Sequence, residues 1–289
     1  MKMSKKARAI KKNAGFWYRF TRNKSAIIGL IAVSIVVFAA VFANLIAPSE
    51  DVLKQDYNAI MQPPSREHLF GTDQLGRDLF ARVIYGSRYS LVIGVTTSLV
   101  ALLIGGTLGS VAGYFGGAID NIIMRILDVV ISIPAVLLAL AIVAALGASL
   151  VNLMLALTVA LVPGVARLVR SVILTVSEED YVEAAKAYGA SNFRILLRYI
   201  VPNAMGTIII STTINISYMI LSAAGLSFIG MGIQPPNPEW GALLGDAKSY
   251  MRQAPHMLIF PGLFILLAAL GFSLIGDGLR DALDPRLKD

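Results

Sequence analysis

The chain has 289 residues, of which 56% are hydrophobic and only 15% charged, with a formal net charge of +7 and no cysteine. The lack of cysteine excludes a disulfide scaffold, a zinc–thiolate centre and a thiol nucleophile, and two histidines, His68 and His256, are too few for a histidine metal cage. The charges lie in clumps between apolar runs of about 20 residues, so the basic excess is read against a bilayer rather than against nucleic acid.

In chain order, residues 1–24 hold nine Lys or Arg and no acid. Phe16, Trp17 and Phe20, set among Arg19, Arg22 and Lys24, predict a basic interfacial helix on an anionic leaflet. The run 25–46 is too long for a signal-peptide core and predicts a retained first span. Residues 47–89 predict an external segment. Its charges Arg66, Glu67, Asp73, Arg77, Asp78, Arg82 and Arg88 are mixed in sign, as in a folded cap. Five more apolar runs, 90–113, 129–146, 151–165, 204–226 and 256–275, predict a five-helix core over 90–276. The fourth span of the set is the shortest and holds Pro163. A tail, 277–289, closes the chain.

With the N-terminus in the cytoplasm, 18 basic residues fall on cytoplasmic segments and seven on external ones. That is the positive-inside bias, and it places both termini on the cytoplasmic side of a multi-pass cell-membrane protein. Apart from His256 at an edge, the six runs contain no Asp, Glu, Lys, Arg or His. Proton relays and intramembrane proteases need such groups, so the energy for any transport must come from outside the membrane.

Two spans carry patterns. Ala101, Gly105, Gly109 and Gly113 recur every four residues in the second, a small-residue face that lets helix backbones approach closely. In the fifth, Thr207, Ser211, Asn215, Tyr218 and Ser222 stay within roughly an 80° arc. Such a polar stripe must face protein or water, either bonding helix neighbours or lining a hydrated path. No internal repeat is evident, so a pore built from two related halves needs a second chain. In the loop before the sixth span, Pro235, Pro236 and Pro238 stiffen the backbone and Trp240 is expected as an interfacial anchor.

Between the fourth and fifth spans lies a charged island, 177–203. Ser177 followed by Asp180 resembles a capping box, with Glu178 and Glu179 on a first helical turn. That helix should stop near Tyr188, because Gly189 supplies a left-handed residue. Ser191 or Asn192 can cap a second helix to about Ile200, which Pro202 then breaks. Tyr181, Ala184, Ala185 and Tyr188 would form one small-and-aromatic face suited to a groove.

At these residues the chain resembles the membrane subunits of ABC importers. Their cytoplasmic loop carries E-A-A, three residues, G, nine residues, I-x-L-P, and this chain has Glu183, Ala184, Ala185, Gly189 and Pro202. Tyr199 and Val201 depart from the usual Ile and Leu but keep their bulk. The stretches GTDQLGRDLFARVIYGSRYSL, AGYFGGAIDNIIMRILD, LSFIGMGIQPPNPEWGALLGDA and FPGLFILLAALGFSLIGDGLRDALDPRLK resemble the second permease subunit of the dipeptide, oligopeptide and nickel importer family. The resemblance covers nearly the whole chain. It implies an all-α, six-span type I importer permease that pairs with a homologous permease. It implies two ATP-binding subunits, which would hold ATP and Mg, and an external solute-binding protein.

The island would hold the coupling helix, and the proline loop would close the outer mouth, meet the binding protein or simply cap the bundle. The chain has no G-x-x-x-x-G-K-[ST] phosphate loop, so it is expected to be a non-catalytic subunit that binds no metal or cofactor itself. Nickel or another small solute is the alternative to peptides, and a scaffold without a conducting path is the alternative to transport.

Overall fold

The structure is a computed structural model that describes residues 16–283; most of the basic arm and the end of the tail lie outside the described residues. Among those residues the secondary structure is helical, apart from an isolated bridge between Thr72 and Asp78. The helices are α1 (Phe16–Phe20), α2 (Lys24–Val41), α3 (Ala43–Ile46), α4 (Leu79–Phe115), α5 (Gly117–Ile131), α6 (Ala135–Leu146), α7 (Leu150–Ser177), α8 (Asp180–Ala187), α9 (Asn192–Ile195), α10 (Val201–Phe228), α11 (Trp240–Ala247) and α12 (His256–Leu283).

Among the described residues five stretches are long and apolar enough to cross a bilayer: α2, α4, α7, Asn192–Phe228 and α12. The pair α5 and α6 makes a sixth if it is one span, bent by 79° at the break. The third apolar run is therefore not the straight helix expected over 129–146. Pro134 lacks a backbone donor and takes an extended backbone (ψ 130°), so the helix ends at Ile131 and restarts at Ala135.

Two other spans outrun their apolar stretches. α4 begins at Leu79 rather than near Ser90, because Asp78 caps it by accepting from the Ala81 N–H at 2.8 Å. At 37 residues it is about 55 Å long, so it extends well past a hydrocarbon core of about 30 Å. α7 continues past Val165 to Ser177, and two arginines that end the apolar run are paired: Arg167 with Asp128 at 2.5 Å, and Arg170 with Asp120. The long segment read as external thus gives its last eleven residues to a helix.

α4 and α7 pack most extensively, and the small-residue face explains how. A Cβ at Gly105 would lie 2.8 Å from the Val162 carbonyl oxygen, and one at Gly113 would lie 2.9 Å from that of Arg170. At Gly109 it would collide with the Ala166 oxygen, and Ala101 on the same face is fully buried. The expected close approach is between two helices of this chain. A second seam joins α2 to α12, where a Cβ at Gly29 would meet the Gly271 oxygen at 2.7 Å.

The two ends of the bundle are distinct. At one end, Asn23 donates to Asp281 at 2.7 Å, Phe20 packs with Ala26 and Ala282, and Gly206 faces Leu283. The first and last helices therefore meet beside the 177–203 hairpin. Trp17 on α1 is exposed and meets edge-on, at 6.4 Å between ring centroids, the ring of Phe20, which is buried. The other end is the cap formed by residues 47–89 with the loop before α11.

Candidate functional site: the hairpin, the α10 stripe and the cap

The hairpin forms, with different boundaries. Ser177 does not cap α8. It is the last residue of α7, and its hydroxyl donates back to the Ile173 carbonyl at 2.7 Å, because burial of Val169 and Ile173 carries α7 to that point. Glu179 occupies the cap position without a side-chain bond. The stop is as expected: Gly189 has φ +76°, its N–H donates to Lys186 O at 2.9 Å, and the Ala190 N–H donates to Ala185 O at 3.1 Å. These two bonds make a Schellman motif, which requires the left-handed residue at Gly189.

The second leg is continuous with the membrane helix rather than broken from it. Leu196–Ile200 is a π-helical turn in which the Val201 N–H reaches the Leu196 oxygen. Pro202 then sits in the first turn of α10, where its missing donor costs nothing. The π turn absorbs the register change that a proline would otherwise force as a break.

On α8, Val182 and Ala185 are buried against Ile195 and Ile200, so Ala185 belongs to the inner face. Tyr181, Glu183, Ala184 and Tyr188 point outward, and Tyr188 is 92% exposed. Partial burial and then Glu179 raise the Tyr181 hydroxyl above its ordinary pKa. Phe193 at the start of the second leg is also exposed, a third outward aromatic on the hairpin with Tyr181 and Tyr188. Its signal was one large apolar residue amid polar neighbours directly after the Gly189 turn.

The α10 stripe lies on the face turned away from this chain's core. The opposite face, with Ser217, Ile220 and Ala224, is buried, and Ser217 donates to the Ala269 carbonyl of α12 at 2.6 Å. Thr207 and Tyr218 are exposed, and Ser211, Asn215 and Ser222 are half-buried. Thr207 and Ser211 line a cavity of about 700 Å³ at the hairpin end, and Tyr218 and Ser222 line a small pocket against Ala135, Val136 and Leu157. The side chains of Thr207, Ser211 and Asn215 have no hydrogen-bond partner among the described residues, so intrachain bonding does not account for them.

The cap at the other end of the bundle corrects the reading of Trp240. It is fully buried, donates through Nε1 to the Val83 carbonyl at 2.9 Å and packs beside Phe264, so it anchors the core rather than a membrane interface. Pro235 and Pro236, joined by a cis bond, are exposed, whereas Pro238 is buried with its carbonyl pressed on Gly86. Asp73 sits at the centre of a buried charge group, bonded to Arg77 at 2.7 Å and Arg82 at 2.9 Å. Arg88 donates to the Ala40 carbonyl at 2.6 Å and to Asn44, holding the end of α2.

Glu239, unnoticed in the sequence, is buried and caps α11 by accepting from Gly241 and Ala242 N–H, both at 2.9 Å. Burial pushes its carboxyl pKa up despite those bonds. Burial likewise raises Asp246, against the opposing pull of Arg77. Among the described residues no cluster of His, Asp or Glu is arranged to hold a metal.

A bundle with a protruding helical hairpin and an unpaired polar helix face is the architecture of a type I importer permease. The inward-facing MetNI methionine ABC transporter matches it with a TM-score of 0.58 at 20% identity, over 70% of this chain and 97% of that one. The family model for the binding-protein-dependent transport system inner membrane component matches residues 105–289, and that for the N-terminal TM domain of oligopeptide transport permease C matches residues 14–64. The chain belongs to the binding-protein-dependent transport system inner membrane component family. It is 46% identical to the dipeptide transport system permease protein DppC of Alkalihalophilus pseudofirmus, over 92% of this chain and 88% of that one. It is 45% identical to the glutathione transport system permease protein GsiD of Escherichia coli, over 94% of this chain and 90% of the relative. It is thus a multi-pass membrane permease component.

Proposed function

We propose that this chain is one of two homologous permeases whose shared interface carries short peptides across the cytoplasmic membrane, powered by ATP hydrolysis on partner subunits. The observation that carries the reading is the α10 stripe: Thr207, Ser211 and Asn215 lie on one helix face and have no hydrogen-bond partner among the described residues. Polar groups on such a face are costly against lipid, so a second permease and a hydrated path between the two would cover them. The relatives named for a dipeptide and for glutathione favour peptides as the solute.

In this reading the hairpin faces the cytoplasm, as do both termini, and Tyr181, Tyr188 and Phe193 seat in a cleft of an ATP-binding subunit. Because the second leg runs without a break through the π turn into α10, movement of the hairpin is passed directly to the helix that bears the stripe. ATP-driven closure of the partners would then rock the path between outward-open and inward-open states. The cap, with its exposed Pro235 and Pro236, would receive an external solute-binding protein. The chain itself performs no catalysis and holds no cofactor; ATP and Mg belong to the partners.

The test is uptake by the assembled transporter in vesicles, with labelled dipeptide challenged by tripeptide, glutathione and Ni²⁺. Saturable dipeptide uptake that Asn215→Leu changes in rate or selectivity, without loss of assembly, is the expected result. Uptake indifferent to Asn215→Leu across the panel would make the stripe a packing feature.

A further inference from the structure

Arg280 lies in the last turn of α12 and lines the 700 Å³ cavity together with Asn203, Thr207, Ser211, Ile210 and Ile214. Among the described residues no carboxylate lines that cavity. The cavities at the outer end are different: Lys54 shares one with Asp51, Asp56, Glu67 and Asp78, and Lys248 shares another with Asp246. Arg280 forms no ion pair or hydrogen bond among the described residues, and so does not satisfy the terminal carbonyls of its own helix. Its helix neighbour Asp281 is bonded to Asn23, and Asp277 is not part of the cavity wall.

Among the described residues the arrangement is one uncompensated guanidinium beside two hydroxyls that have no other partner. Guanidinium is the side chain best matched to a planar oxyanion, which it binds through two parallel N–H bonds. Asn203 donates its amide N–H to the Tyr199 carbonyl at 2.6 Å, which leaves its Oδ1 free to accept from an amide N–H. A cation fork, two hydroxyl donors and an amide acceptor suit a carboxylate with an amide bond next to it.

We propose that Arg280, Thr207, Ser211 and Asn203 form an anion-recognition subsite at the hairpin end of the path, and that its ligand is the C-terminal carboxylate of the transported peptide. The subsite rests on the peptide reading above. It would hold solute in the inward-open state, before release, on the side opposite to any binding protein.

The test uses the complete transporter in sealed vesicles with the hairpin face inside. The lumen is loaded with unlabelled dipeptide or with its C-terminal amide, and initial uptake of labelled dipeptide is read. A competitor on that side meets the permeases but not the external binding protein. The free acid should slow uptake at about one-tenth the concentration the amide needs, the factor expected for one charge-assisted bond pair. R280Q should erase the difference, R280K should keep part of it, and Thr207→Val with Ser211→Ala should reduce it severalfold. Assembly at wild-type yield shows that the variants fold.

Equal inhibition by acid and amide in the unmodified transporter, or a difference that survives R280Q, overturns the subsite while leaving peptide transport intact. A difference present only in vesicles with anionic lipid assigns the guanidinium to a lipid phosphate and also overturns it. Absence of dipeptide uptake altogether overturns the peptide reading, and the subsite with it.

Discussion

The hairpin and the cap lie at different ends of the bundle, and they use their polar and aromatic residues in opposite ways. In the cap these groups are consumed internally: Asp73 is shared by Arg77 and Arg82, Glu239 caps α11, and Trp240 is sealed under Phe264. In the hairpin only Val182 and Ala185 of α8 turn inward, and Tyr181, Tyr188 and Phe193 are left outside. The cap is built as a rigid lid for the bundle; the hairpin is built to be completed by something else. Stability and function should therefore separate between the two ends.

The separation can be broken most severely at Asp73. Asp73→Ala leaves two buried guanidiniums without their anion and should cost about 3–5 kcal/mol, read as loss of folded protein in a thermal or denaturant series. At the α4–α7 seam, Gly109→Val places carbon against the Ala166 carbonyl and should cost about 1–3 kcal/mol, read the same way. Gly189→Val is sterically free but must hold φ +76°, a strain of about 1–2 kcal/mol. It should leave the bundle folded while abolishing uptake, as should the surface substitution Glu183→Lys. Tyr188→Ala or Phe193→Ala should change stability by less than about 0.5 kcal/mol, yet weaken co-purification of the ATP-binding subunits by about 2 kcal/mol if these are anchors of the interface.

A small effect of pH would sharpen the same contrast. Burial raises the carboxyl of Glu239 above its ordinary value, so the folded cap binds that proton more tightly than the unfolded chain. Cap stability should then fall as pH rises from the unfolded carboxyl range through the raised value, and Glu239→Gln should flatten the slope in a thermal-unfolding series against pH. Hairpin-dependent ATPase coupling should not follow that slope.

What was legible in the sequence divides along the same line. The apolar runs located the spans because lipid-facing helices must be oily all along their length, and Gly189 announced its turn because the left-handed backbone leaves little alternative. Hydropathy has no sense of direction, so the bend at Pro134 passed inside a continuous apolar run. It also cannot see pairing: Arg167 and Arg170 marked the end of an apolar run but not of a helix, because their partners, Asp128 and Asp120, lie about 40 and 50 residues away in sequence.

Trp240 near a span's end fits the general habit of interfacial aromatics, and only the position of the Val83 carbonyl shows it to be core. Ser177 fitted a cap pattern that the burial of α7 overrode. Exposed, locally spaced residues of the hairpin were readable; long-range satisfaction of buried groups was not.

The central claim is that the hairpin end, and not the cap, engages the ATP-binding partners. The chain contains no cysteine, so single thiols report cleanly. Tyr188→Cys on the hairpin and Leu69→Cys on the exposed cap can each be treated with a short thiol-to-amine cross-linker in the assembled transporter. The account predicts a cross-linked band with an ATP-binding subunit for Tyr188→Cys and none for Leu69→Cys. The reverse pattern, or no band from Tyr188→Cys in a complex that still couples ATP hydrolysis to uptake, would contradict it.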